Sequence, residues 1–398
     1  MTTKTQSNSP AKTTAALERA APPAPLGPNT DGITAGIDLG DKKHAICVID
    51  SAGEIIDARK ITNHRESFRR LSKKFPDARI VMEVGSHSPW ISRFFSDLGH
   101  EVIVANARKL RAIYTNDRKS DELDALMLAK LGRIDPSLLH PIAHQGEQAQ
   151  IDLLQIRLRD NLVRQRVHII SSVRFTLKSL GHTLKSPNTH CFAKQARANL
   201  TDAEAPRLDL LAMIEPSLLV IDAMTTQIKE LDRSIEKLGR EHYLTTLLLR
   251  QIPGVGPITA LAFVLTIGDP DRFASSRDIG AYFGLVPKRD QSGDVDKQLR
   301  ISKAGNSYLR KLLVGAAQYI LGPFGPDSDL RRSGLKLAER GGRAAKKKAV
   351  VATARKLGVL MHTMWVRQSD YIPVRSIAKA EAERAAIAAE EGTEEAAA

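Results

Sequence analysis

Lys119-Ser120-Asp121-Glu122-Leu123-Asp124-Ala125-Leu126-Met127-Leu128-Ala129-Lys130-Leu131 is the stretch around which the rest of this chain arranges itself. Ser120 is a capping residue, three acids follow it, and the apolar spacing beyond them is that of an amphipathic helix. Asp121 and Asp124 are three apart, so they project from one face, one turn apart. Two carboxylates so close disfavour each other's ionised form unless a cation lies between them, and a hard divalent cation is the usual one. A Ser120 cap with acids lodged against the positive end of the helix dipole explains the same residues without a ligand. The stretch alone does not choose.

Working outward, 398 residues exceed most single cores, which predicts two domains and a connector. The formal net charge of +14 points to a polyanionic partner, nucleic acid before a membrane surface. Aromatic residues make up only 5%, so base stacking on single strands is not the main signal. Cys47 and Cys191 form no CxxC and no zinc-type spacing, which predicts reduced thiols and a cytoplasmic protein. Met1 to Asn29 lacks the apolar core of an export signal, and no run of apolar residues is long enough to span a membrane.

Residues 1–30 read as a disordered tail, with Pro22, Pro23, Pro25 and Pro28 close together. From Thr34 an apolar run containing Gly36-Ile37-Asp38-Leu39-Gly40, then Ala45 to Ile49, breaks at Asp50-Ser51-Ala52-Gly53. This predicts a β-hairpin and a third strand near Ala58 to Ile61. A basic helix at Glu66–Lys74, a strand at Arg79–Val84, a helix at Pro89–Leu98 closed by Gly99 and a strand at Glu101–Ala105 follow. The Asp121 helix comes next, and by analogy the order is that of a ribonuclease H-like α/β domain over 31–145. Asp38 then lies in the first strand and Glu83 near the end of the fourth, where both can meet the Asp121 helix. A carboxylate in an apolar central strand costs several kcal/mol unless something holds it, which makes Asp38 the most telling of the four. Pairing of Asp38 with Lys42 or Lys43 is the plain alternative.

Asp38, Glu83, Asp121 and Asp124, with Lys119-Ser120-Asp121-x-x-Asp124-Ala125 as the last element, resemble the RuvC-like DEDD domain of the Piv-like, bridge-RNA-guided insertion-sequence transposases, the IS one-ten family. The resemblance implies that these four acids bind divalent metal, Mg²⁺ or Mn²⁺, and act on DNA phosphodiesters. It implies as partners DNA (element ends and target) and a noncoding guide RNA, with the protein as a homodimer or tetramer.

The connector, 150–240, reads as helical. Val163, Val167, Ile170, Val173, Leu177 and Leu180 recur at helical spacing among arginines. After Pro216, Ile221, Met224, Ile228, Leu231, Ile235 and Leu238 make nearly three heptads, predicting a coiled coil that either pairs two chains or folds into an intramolecular hairpin.

The last domain, 245–368, is expected to be mainly α. Leu249 to Ala260 carries Pro253-Gly254-Val255-Gly256-Pro257 and looks like a helix-hairpin-helix. Gly254 and Gly256 would let backbone approach a phosphate, and a plain αα-turn has the same sequence. Gly284-Leu285-Val286-Pro287, Ser292-Gly293 and Arg300-Ile301-Ser302-Lys303-Ala304-Gly305-Asn306-Ser307-Tyr308-Leu309-Arg310 resemble the serine-bearing second domain of the same family. Relatives often carry paired serines and glycines there, whereas this chain has Gln291-Ser292-Gly293-Asp294, so only Ser292 can take the serine's part. The resemblance makes Ser292 a nucleophile; without it, Ser292 is a turn residue. Arg300, Lys303 and Arg310 would hold phosphates. Between Arg331 and Lys356 lie ten Lys or Arg, including Lys346, Lys347 and Lys348, against the one acid Glu339, a further phosphate-contacting face. The segment 376–398 is an acidic Ala/Glu-rich tail.

These expectations describe a DNA transposase or recombinase. A metal-dependent junction nuclease acting without the serine is the alternative. An actin-like ATPase would share Gly36 to Gly40, but its second Asp-x-Gly loop and adenosine site are missing from the sequence.

Overall fold

The computed structural model describes residues 27–29, 31–110, 120–184, 188–201, 206–292 and 295–374, with backbone alone at 292 and 295–298. The acidic tail, Lys119 and all but 27–29 of the N-terminal tail lie outside the described residues. Two compact units divide the chain between Glu147 and Gln148. The first is a mixed α/β layer; the second is largely helical.

In the first unit β1 (Thr34–Asp38), β2 (Lys43–Ile49) and β3 (Ile55–Thr62) form an antiparallel meander. Parallel strands β4 (Arg79–Glu83) and β5 (Val102–Ala105) complete a sheet of order β3-β2-β1-β4-β5. Helix α1 (Arg65–Lys74) joins β3 to β4 and α2 (Ser88–Asp97) joins β4 to β5. Side chains alternate across a strand. Ala35, Ile37, Ile46, Val48, Ile80 and Met82 face a core built with Phe68, Leu71, Ile91 and Phe95. Residues of the other parity, Ala45, Cys47, Ile49 and Val81, face α3 (Asp121–Ile134) through Ala125, Leu128 and Ala129.

Helix α3 lies hard against β1 and β4 because glycines remove the intervening side chains. A Cβ on Gly36 would sit 2.0 Å from the Ala125 carbonyl oxygen, and one on Gly132 would sit 2.4 Å from Val81 Cγ2. At its far end, Arg79 donates from Nη1 to the Gly132 carbonyl at 2.8 Å and from Nε to Glu101 at 2.6 Å. Gly132 is thus tied to the start of β4, level with the start of β1, and Ala125 to the middle of β1, so α3 runs antiparallel to both strands. Its first turn lies toward the strand ends that carry Asp38 and Glu83.

The second unit opens with α4 (Glu147–Ser179), α5 (Phe192–Thr201) and α6 (Leu208–His242). The sequence reading started the second connector helix after Pro216; it starts at Leu208, with Pro216 inside it. Leu210 and Ile214 already belong to the buried stripe that continues through Leu218 and Ile221, and that packing outweighs the hydrogen bond that Pro216 forgoes. Helix α5 was not anticipated. Pairing of α4 with α6 is intramolecular and antiparallel: Arg159 bonds Asp232 at 2.8 and 3.2 Å, Arg166 bonds Thr225 at 3.1 Å, and Tyr243 bonds Asp152 at 2.5 Å. Ile221, Ile228 and Ile235 are buried within the chain, so this seam is the intramolecular hairpin of the two readings.

Beyond it come α7 (Thr245–Leu249), α8 (Pro257–Ile267), α9 (Asp278–Tyr282), α10 (Ser307–Leu321), α11 (Asp329–Ala338) and α12 (Gly342–Arg367). Helix α8 is buried nearly throughout, and its core continues into Ala149, Leu153, Ile156 and Ile235 of the long helices. A two-stranded antiparallel hairpin, β6 (Pro287–Ser292) and β7 (Val295–Ile301), interrupts the helices. Its charged alternation, Lys288 to Gln291, hid it from the sequence reading. Among the described residues no helix is long and apolar enough to cross a membrane, Cys47 is buried and Cys191 exposed, and both are free thiols.

Candidate nucleic-acid-processing site

Asp38 closes β1 and Glu83 closes β4, and these strands are parallel neighbours, with Ile37 opposite Met82. Asp38 has the parity of Gly36 and Glu83 that of Val81, which places both on the α3 face of the sheet. On α3, Ser120 caps the helix by accepting from the Leu123 N–H at 3.3 Å. Asp121 and Asp124 occupy the first turn. The backbone therefore brings all four acids to one end of one face.

Sequence reasoning missed Lys60. Ala45 pairs with Asp38 on one side and with Lys60 on the other, so Lys60 continues the row across β2 onto β3. Its Nζ lies 2.9 Å from Glu122 Oε1 and 3.4 Å from Asp121 Oδ2. Hydrogen bonding to Glu122 and then Asp121 raises the Lys60 pKa, and the same contact lowers that of Glu122. The signal was there in principle: a lysine on a strand that alternates Ile55, Asp57, Arg59 and Ile61 must face the other way.

A set of carboxylate oxygens is what a hard divalent cation takes, and the placement of Asp38, Glu83 and the first turn of α3 suits one. Among the described residues, however, no three His, Cys, Asp or Glu side chains stand grouped as ligands, and Asp121 is turned to Lys60.

In the second unit Ser292 ends β6 opposite Val295, and Gly293 and Asp294 lie outside the described residues. The motif that follows is first of all a backbone clasp. A Cβ on Gly284 would lie 2.3 Å from the Ala304 nitrogen, and one on Gly305 would lie 2.0 Å from the Tyr282 oxygen; both glycines have positive φ. Arg310 donates to the carbonyls of Phe283 and Ala304, each at 2.9 Å, while Asn306 caps α10. Arg310, read from sequence as a phosphate ligand, thus holds this clasp closed. Gly254, with φ of 91°, approaches protein rather than leaving space for a phosphate: its Cβ would meet Tyr319 at 2.9 Å and the Ala316 oxygen at 3.2 Å. Gly256 caps α8 and faces open space.

Arg300, Lys303, Lys347 and Lys348 come together. They line a groove of about 1380 Å³ with Arg277, Arg340, Arg355 and Lys356, over an aliphatic floor that includes Leu285, Ile301, Val351 and Leu360. Asp329 is the one acid in its lining. Lys346 is exposed on α12 beside this lining.

An α/β layer with converging acids, joined in one chain to a helical unit with a basic groove, defines a class of proteins that act on nucleic acid. A family profile described as transposase, of the DEDD kind, matches residues 35–181, and one described as transposase IS116/IS110/IS902 family matches 246–329. The chain is 27% identical to the transposase for insertion sequence element IS1111A of Coxiella burnetii, over 84% of this chain and 90% of that one. It is 30% identical to the putative transposase y4qE of Sinorhizobium fredii over 71% and 70%, and 26% identical to a probable family 20 transposase of Pseudomonas aeruginosa over 85% and 98%. The chain belongs to the IS110/IS116/IS902 family of insertion-sequence transposases.

Proposed function

We propose that this transposase cuts and rejoins DNA strands by metal-assisted attack of a serine nucleophile, with the acids of a ribonuclease H-like, RuvC-like domain as the metal ligands and Ser292 as the nucleophile. The observation that carries this reading is the convergence of Asp38, Glu83 and the first turn of α3 on one end of the α3 face. A divalent cation, Mg²⁺ or Mn²⁺, held by Asp38, Glu83, Asp121 and Asp124 would neutralise charge at the phosphodiester when bound. The Ser292 hydroxyl attacks phosphorus, the bond to the departing DNA oxygen breaks, and that oxygen leaves as a hydroxyl carrying the proton. An incoming strand's hydroxyl then displaces serine, so the number of phosphodiester bonds is conserved.

The basic groove, with Lys346 beside it, holds the nucleic-acid backbone by charge, which suits DNA ends and target as well as a noncoding guide RNA. The turn around Gly254 and Gly256 acts as a helix-hairpin-helix only through the open Gly256 end of α8. Two or more copies assemble around the strands. Asp38→Asn and Glu83→Gln test the reading in a strand-transfer assay with element-end DNA. Loss of transfer with retained binding is expected; full activity in Asp38→Asn contradicts it.

A further inference from the structure

We propose that the exposed seam between α1 and α2 in the first unit is a stacking platform for unpaired nucleotides of the DNA strand on which the acids act. The inference rests on the DNA-cutting reading of Asp38 and Glu83, and it gives that strand a second hold on the opposite face of the same sheet. Position supports it. Lys60 of β3 stands level with Asp38 across β2, and β4 ends at Glu83. The helices that follow these strands, α1 from Arg65 and α2 from Ser88, therefore both begin at the end of the sheet that carries the acids. A strand passing the acids comes to the first turns of both helices.

Aromatic residues, sparse over the whole chain, gather at this seam. Trp90 is half-buried, its ring centroid 5.6 Å from that of Phe68 and 6.5 Å from that of Phe94, both of which are buried. Arg65 is exposed, and its Cζ lies 5.6 Å from the Trp90 ring centroid and 5.8 Å from that of Phe94. Among the described residues no carboxylate pairs with Arg65, so the rings alone meet its charge. The Trp90 indole N–H is directed to His87 Nδ1 at 3.5 Å, and His87 Nε2 lies 3.5 Å from Asp41 Oδ1. The ring is thereby oriented from the turn that follows Asp38.

The charge on α1 is laid out for a strand. Arg65, Arg69 and Lys73 recur every fourth residue, roughly 6 Å apart along the axis, and Glu66 is the one acid of that helix. An unpaired nucleotide takes this combination: its base stacks on an aromatic ring or a guanidinium plane, and its phosphate meets the cations. Duplex DNA keeps its bases stacked on one another and would meet the cations alone. The seam therefore selects single-stranded DNA, and its place at the acid end makes that strand the one being cut.

The test uses the full chain in EDTA, where no strand is cut, so a failure of the metal or serine step leaves its readout untouched. Single-stranded DNA carrying bromodeoxyuridine is bound and irradiated, and cross-linked peptides are identified by mass spectrometry. The parent is compared with Arg65→Ala and with Lys237→Ala, which removes one exposed charge from α6 of the second unit. The expected result is a cross-link at Trp90 whose yield falls at least about fivefold in Arg65→Ala, the low end for loss of one stacking partner, and is unchanged in Lys237→Ala. Unlabelled single-stranded DNA should compete for it, and duplex DNA of the same sequence should not. Absence of a cross-link at Trp90, an equal yield in Arg65→Ala, or equal competition by the duplex overturns the proposal. Single-stranded RNA of the same sequence competing better than DNA would assign the seam to RNA and also overturn it.

Discussion

Lys60 Nζ lies 3.4 Å from Asp121 Oδ2, which ties the later half of β3 to the first turn of α3 across the end of the sheet where Asp38 sits. The ammonium and a bound divalent cation would compete for that carboxylate. Lys60→Met should therefore lower the Mg²⁺ concentration needed for half-maximal strand transfer by about two- to fivefold, the range expected for an exposed ion pair. A higher Mg²⁺ requirement would show that Lys60 assists the site instead. Chelation with EDTA should stop strand transfer and leave nucleic-acid binding in place.

Gly36 sets how closely α3 approaches the sheet, because any Cβ there would strike the Ala125 oxygen. Gly36→Ala is expected to destabilise the first unit by about 1–3 kcal/mol or more and to cost activity by moving the α3 acids. Gly315, exposed inside α10 with nothing within 4 Å of its would-be Cβ, is the contrasting case. Gly315→Ala should stabilise by about 0.5–1 kcal/mol. Thermal melts by circular dichroism read both.

The sheet was legible because period-2 runs and glycine turns mark its strands, and because Asp38 stands out in an apolar strand. Lys60 was not, since an exposed lysine on an edge strand looks the same whether or not a helix terminus comes within 3.4 Å of it. The connector periodicity was legible but its partner was not: Ile221, Ile228 and Ile235 have one pattern for a neighbouring chain and for α4 of the same chain. The β6–β7 hairpin was lost because Lys288-Arg289-Asp290-Gln291 has no apolar alternation. Arg310 misled because an arginine that binds backbone carbonyls and one that binds phosphate differ only in what surrounds them.

Ile228 is fully buried in the α4–α6 seam, so Ile228→Glu should place a charge in that seam and unfold it rather than merely separate two chains. A loss of about 3 kcal/mol or more is expected, read as lost helical signal at every protein concentration. A well-folded variant with unchanged melting and a smaller mass by light scattering would mean that this face is an interface between copies.

His44 is buried against Phe68, with ring centroids 5.3 Å apart, and burial lowers its pKa; His144 is lowered by burial and then by Arg93. Between those lowered values and about 6.5 the unfolded chain binds more protons than the folded one, so stability falls as pH drops through that window. The first unit should melt at a lower temperature at pH 5 than at pH 7.5, and His44→Leu should flatten the dependence. An unchanged slope in His44→Leu would assign the effect to other groups.

Covalent capture tests the proposed serine nucleophile most directly. Wild-type protein, Ser292→Ala and Asp38→Asn are each incubated with labelled element-end DNA, Mg²⁺ and the proposed guide RNA, then run on a denaturing gel. The account predicts a protein–DNA adduct in wild type, mapped to Ser292 by mass spectrometry, and none in either variant although both still bind DNA. An adduct that persists in Ser292→Ala, or DNA cut by wild type with no adduct at any time, contradicts it.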